Sequence, residues 1–155
     1  MENLAAELLF EIKATLDHPI IEGRRIIAMI NGGTFTGKMC GKVLPVGGEF
    51  GTFIPDTDEI NETYKIDVRA AIQTDDNAVI YISYNGFMHA EAATLKMLFS
   101  PVEGPKLDPS TYYWRINPVF ETASKQYEWL NHMIAVGYGS YTPEGQVIYK
   151  IYAIQ

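Results

Sequence analysis

Five charged side chains lie in stretches that otherwise read as apolar strands: Arg25, Arg69, Arg115, Glu121 and, beside a Gly-Gly turn, Glu49. A guanidinium in such a setting needs a carboxylate partner or an anionic ligand, because burying an unpaired charge is costly. A desolvated glutamate has its pKa raised towards neutral pH, which suits it to general acid–base work. An arginine gripping a substrate carboxylate beside a glutamate that moves a proton would make a cofactor-free lyase or isomerase site. Everything turns on which way these side chains point. In "DVRAAIQ", Asp67, Arg69, Ala71 and Gln73 share one face, and Val68, Ala70 and Ile72 the other. If the polar face looks outward, Arg69 is solvated; if the sheet closes round it, the same face lines a polar cavity.

"FETASKQYEWLN", Phe120 to Asn131, raises the same question, with a carboxylate, two amphipathic aromatics and an amide close together. Ser124 can cap a helical turn running to about Trp129, and Tyr127 and Asn131 lie four apart on one face. In a barrel, this turn is expected to plug one end with Trp129 as the apolar stopper.

Other motifs are weaker. Gly32 to Lys38 in "GGTFTGKM" fits a phosphate loop, but Met39 replaces the Ser or Thr that would bind magnesium. The following "CGKVLPVGG" cannot supply the helix N-terminus such a loop requires, so a glycine-rich hairpin turn is expected. His18, His89 and His132 have no metal-ligand spacing, and no nucleophile elbow is present. Cys40 is the one cysteine, so there is no disulfide framework, and it is expected to be a small buried hydrophobe. The reading is of no metal and no cofactor.

The elements that must position these residues alternate with period two. "LLFEIKATLD" places Leu8, Phe10, Ile12, Ala14 and Leu16 on one face. "RRIIAMIN" ends at Gly32-Gly33 and "KVLPV" at Gly47-Gly48. "YKIDVRAAIQT" and "AVIYISYNG" flank Asp75-Asp76-Asn77 as the clearest hairpin. "TYYWRINPVFE", "MIAVGYGSY" and "QVIYKIYAI" follow, the last two joined through "TPEG". This pattern predicts a mainly β chain over residues 1–155, one antiparallel β-barrel of about 8–10 strands with one or two short helical turns. "AEAATLKML", Ala90 to Leu98, is the best helix former, and "SPVEGPKLDPS" reads as loop. The ten tyrosines suit half-buried sheet and can also line a pocket.

With seven net negative charges, nucleic acid is not expected as a partner, nor an anionic membrane surface. The acidic N-terminal stretch lacks the pattern of a signal peptide, and no apolar run nears the roughly 20 residues of a membrane helix, so a cytoplasmic protein is expected.

Four blocks carry a family resemblance: "EGRRIIAMINGGTFTGKMCGKVLPVGGEFG", "DVRAAIQTDDNAVIYISYNG", "YYWRINPVFETASKQYEWLN" and "AVGYG…VIYKIYAI". Together the chain resembles the uncharacterised family of domain of unknown function 3237, from about Leu8 to the C-terminus. The resemblance implies a closed or nearly closed antiparallel barrel, lipocalin-like in outline, with a central cavity. It further implies small-molecule chemistry on lipophilic or aromatic metabolites. The polar positions matching the family pattern are Arg25, Glu49, Arg69, Arg115, Glu121, Tyr127, Trp129 and Asn131. One departure concerns the acid itself: a family turn that often reads Gly-Gly-Asp-Trp is Gly47-Gly48-Glu49-Phe50 here, so the acid is one methylene longer and the indole donor is lost.

Three functions follow from these readings. The first is a cofactor-independent lyase or isomerase acting on a lipophilic or aromatic carboxylic acid, with Glu49 and Glu121 catalytic and Arg25, Arg69, Arg115, Tyr127, Trp129 and Asn131 binding substrate. The second is a non-catalytic lipocalin-like protein that holds a small lipophilic ligand. The third is an interaction protein whose sheet faces pack into a homo-oligomer.

Overall fold

The computed structural model describes residues 3–155. Its strands are β1 (Ala6–Leu16), β2 (Ile20–Glu22), β3 (Arg25–Gly37), β4 (Gly41–Glu49), β5 (Thr52–Pro55), β6 (Asn61–Thr74), β7 (Val79–Glu91), β8 (Tyr113–Glu121), β9 (Ala135–Tyr141) and β10 (Val147–Ile154). Neighbouring strands pair antiparallel in the order β1-β10-β9-β8-β7-β6-β4-β3, and β1 pairs with β3 to close the ring. The expected barrel is therefore present, and eight of the ten strands form its wall. β2 and β5 add short pairings to β3 and β6 at one end.

Alternation along β6 sets inside from outside. Tyr64, Ile66, Val68, Ala70 and Ile72 are buried, so Asp67 and Arg69 point to solvent. The hairpin of β6 and β7 is in register from Asn61↔Glu91 to Gln73↔Val79, turning at the predicted Asp-Asp-Asn. The helix α1 (Ala92–Leu98) lies close to its expected place and inserts Leu95 and Leu98 beneath it. The proline-rich segment after it contains two 3-10 turns, Gly104–Lys106 and Pro109–Thr111, in place of plain loop. In the second, the Asp108 carboxylate accepts the Ser110 N–H, a local cap that periodicity does not reveal.

Strict period two fails where the barrel must bend. In β1 the register shifts between Leu8 and Phe10; Leu9 and Phe10 are both buried and Leu8 is exposed, contrary to the single apolar face expected. Gly32-Gly33 does not end the second strand. β3 runs on to Gly37, and the chain reverses only over residues 38–40. Gly33 has φ +150° and lies against β1 so closely that a Cβ would overlap the Lys13 carbonyl oxygen. These glycines are bulge residues that let β3 curve onto β1. Cys40, in the turn, is exposed rather than buried.

One end of the barrel is filled. Phe10 packs on Phe35 and Phe120, with ring centroids 5.6 and 5.9 Å apart. Below them, between β8 and β9, a 3-10 turn spans Lys125–His132. The stopper is Leu130, 1% exposed, whereas Trp129 is 36% exposed. A 3-10 turn eclipses side chains three apart, so the face predicted for an α-helix is rotated. Ser124 sits at the cap position, but its side chain caps nothing; its N–H instead donates to Thr122 Oγ1. Asn131 ties the turn down by accepting from the Thr122 N–H and donating to the Thr122 carbonyl, at 2.8 and 3.0 Å.

β8 and β9 pair only at Arg115↔Tyr138 and Ile116↔Gly137. Pro118 has no N–H to offer further along the ladder, and Asn117 Nδ2 reaches the Ala135 carbonyl instead, at 3.0 Å.

Replacing Gly33 by alanine forces β1 and β3 apart where the barrel closes. The variant is expected to lose more than about 2 kcal/mol in a denaturant titration, and an unchanged midpoint would show that the seam yields freely.

Candidate functional site

The opposite end is open. A cavity of about 530 Å³ occupies the upper barrel, walled by apolar side chains such as Ile26, Ile66, Val68 and Met88. Its rim comes from the β1–β2 turn (Asp17, His18, Pro19), the segment after α1 (Phe99, Pro101) and Gly145 of the β9–β10 turn. A smaller void of about 30 Å³ continues it downward between Phe10, Ile82, Ile116 and Phe120.

Among the described residues, Glu49 is the one carboxylate set deep in this cavity. As the last residue of β4, its inward side chain is 9% exposed. Its Oε1 accepts from the Tyr64 hydroxyl at 3.0 Å and the Asp67 N–H at 3.1 Å. Burial pushes its pKa up from the ordinary 4.5 to about 7; the Asp67 N–H and the Tyr64 hydroxyl pull the other way, and the Asp67 charge adds to the rise. Desolvation outweighs the hydrogen bonds, so near neutral pH the group can both take and give a proton. Gly51 backs the pair: a Cβ there would overlap both the Tyr64 hydroxyl and the Glu49 carboxylate.

Three further polar groups line the cavity in sequence. Trp114 Nε1 donates to the Tyr149 hydroxyl at 3.1 Å. The rings of Tyr149 and Tyr84 meet edge to face with centroids 5.4 Å apart. Burial raises the pKa of Tyr64, Tyr84 and Tyr149, and that of Tyr141 to about 12, so all four hydroxyls stay protonated.

Of the candidate catalytic and substrate-binding residues named from the sequence, the structure brings Glu49 alone to this cavity. Glu121 ends β8 on the outer face, opposite Tyr81. Arg25 donates to the Phe50 carbonyl at 2.7 Å from the outside, close enough to lower the Tyr64 pKa slightly. Arg69 is exposed, 3.5 Å from Asp67. Arg115 stacks outside the barrel on Tyr113 and Tyr138, its guanidinium carbon 4.9 and 3.8 Å from the ring centres. Tyr127 donates to Asp76 at the filled end, where Trp129 and Asn131 also lie. The inward partners Tyr64, Tyr84, Trp114 and Tyr149 were hidden among many sheet tyrosines. In "YYWR" the cavity residue is Trp114, the immediate neighbour of the arginine singled out, and one step along a strand changes the face.

Among the described residues no three His, Cys, Asp or Glu side chains cluster as a metal site would require, and no helix is long and apolar enough to cross a membrane.

A closed antiparallel barrel with one open end and one buried acid defines the class: a cavity-bearing β-barrel protein. The chain belongs to the family described as protein of unknown function, DUF3237, whose model matches residues 4–154. It is 35% identical to a UPF0311 protein of Clostridium acetobutylicum, over 99% of this chain and 96% of that one. A β-barrel-like protein from Acinetobacter baumannii has a similar crystal structure, with TM-score 0.77 and 34% identity over 100% of this chain and 98% of the other. An enzyme from Penicillium herquei shares the fold at TM-score 0.66 and 21% identity, over 100% of this chain and 97% of that one.

The raised pKa has a consequence for stability. The folded protein holds the Glu49 proton more tightly than the unfolded chain, so its burial carries no penalty below about pH 4.5 and the full penalty above about pH 7. Across that window the penalty grows to about 3 kcal/mol at most. Glu49→Gln is expected to be more stable than the parent at pH 8 by ~1–3 kcal/mol and nearly equal at pH 5, measured by denaturation at both values. A constant difference would place the Glu49 pKa near its ordinary value. Gly51→Ala is expected to move the Glu49 titration further above neutral pH, read by carboxyl infrared difference spectra, because the Tyr64 hydroxyl that favours the ionised form must separate from it.

Proposed function

We propose that the protein is a cofactor-independent proton-transfer enzyme, a lyase or isomerase, acting on a small lipophilic or aromatic molecule held in the barrel. The observation that carries this reading is a carboxyl poised near pH 7 inside an apolar cavity large enough for a ring system. Glu49 is the general acid–base, and Tyr64 and the Asp67 N–H fix its orientation. The cavity lining includes no Lys or Arg among the described residues and His18 lies only at its rim, so a carboxylate ligand would meet Glu49 and Asp17 without a permanent counter-charge. This favours a neutral ligand over the carboxylic acid that in-strand arginines had suggested, since an unpaired buried anion is costly.

The competing reading is a carrier, favoured by the largely apolar wall. The two separate on a molecule retained through purification and identified by native mass spectrometry. In D₂O the parent protein is expected to incorporate deuterium into it at carbon, and Glu49→Gln is not. A retained molecule left unlabelled by the parent would establish the carrier.

A further inference from the structure

The Trp114, Tyr149 and Tyr84 side chains have no part in holding Glu49, yet they line the same cavity. An indole N–H can only donate, so its 3.1 Å bond makes the Tyr149 oxygen an acceptor and leaves the Tyr149 proton for another group. The ring next along is that of Tyr84, which meets Tyr149 edge to face on the wall of the same cavity. A Tyr149 proton turned towards Tyr84 would leave the Tyr84 proton as the free end of a donor chain in which each bond polarises the next. The perpendicular packing of Trp114 on Tyr149, at 88°, and the edge-to-face contact of Tyr149 with Tyr84 hold the chain rigid.

We propose that Tyr149 passes its hydrogen bond on to Tyr84, and that this chain presents the Tyr84 hydroxyl to the carbonyl oxygen of a neutral, lipophilic ketone or enone whose acidic carbon faces Glu49. The inference rests on the proton-transfer reading and names its substrate class. In the forward step the Glu49 carboxylate removes a proton from the carbon beside the carbonyl. The C–H electron pair forms a carbon–carbon double bond, and the carbonyl π pair moves to oxygen, where the Tyr84 O–H stabilises the enolate. Return of the same proton from Glu49 to a different carbon gives the isomer and regenerates the carboxylate, so no co-reactant is consumed. Tyr84 touches the reacting oxygen, whereas Tyr149 and Trp114 are positioning residues.

The test uses β-tetralone as a ketone probe and β-naphthol as an enolate mimic. The parent protein is expected to speed exchange of the β-tetralone α-protons in D₂O, and to bind β-naphthol about tenfold tighter than naphthalene, the increment of one well-placed hydrogen bond. It is expected to bind β-naphthoate more weakly than β-naphthol. Tyr84→Phe is expected to remove the tenfold preference and slow exchange about tenfold or more, while naphthalene binding, unchanged, reports an intact cavity. Trp114→Phe is expected to shift the bound β-naphthol emission towards that of free probe, which a purely packing role would not do. If Glu49→Gln abolishes exchange and Tyr84→Phe leaves it and the preference unchanged, the donor chain is overturned and the proton-transfer reading stands. If Glu49→Gln exchanges as the parent does, the proton-transfer reading falls with it. If β-naphthoate binds as tightly as β-naphthol, the neutral substrate class is wrong.

Discussion

The pairing of β1 with β3 is the constraint on which the rest depends. Until the first strand meets the third, the sheet has two free edges and no interior. Closure fixes the faces: Tyr64, Ile66 and Val68 become lining, and Asp67 and Arg69 become surface. It also demands local irregularity, since a regular flat sheet does not close. The shift at Leu8/Phe10, the breaks in β3 register and the close approach of Gly33 to Lys13 are where this curvature is made.

Inside the closed wall, an acid with little water around it is balanced by few groups. Two donors bond Glu49 Oε1, the Tyr64 hydroxyl and the Asp67 N–H, and these favour the ionised form. Desolvation favours the neutral form more strongly, and the pKa settles between the two limits. The rest of the wall contributes packing and a low dielectric. The filled end makes this possible by excluding water from below, with Phe10, Phe35, Phe120 and Leu130 all buried.

Much of the fold was legible because period-two alternation directly reports a sheet with one wet and one dry face. The β6–β7 hairpin, the TPEG hairpin of β9 and β10, and the α1 helix follow from local pattern alone. Glu49 could be singled out as an acid beside a Gly-Gly turn. The arginines and Glu121 were equally conspicuous, but alternation gives two faces without saying which is inner, and a bulge reverses the answer. The apolar face of β6 was the better guide: where Val68 and Ile72 point in, Arg69 must point out. The inner tyrosines could not be distinguished from surface ones, because Tyr suits both faces of a sheet. Their hydrogen bonds join residues distant in sequence, as Trp114 does with Tyr149.

The short ladder between β8 and β9 gives the barrel an uneven wall. Elsewhere each strand is held along most of its length, but here two residue pairs, one asparagine amide and the Leu130 turn carry the join. Cooperative opening begins where the fewest hydrogen bonds must break together. This stave of the barrel is therefore its loosest, and its parting would expose the apolar void beneath the cavity without disturbing the Glu49 wall on β4 and β6. The molecule thus has a closely bonded side, which carries the acid, and a sparsely bonded side, where the wall is joined by few hydrogen bonds.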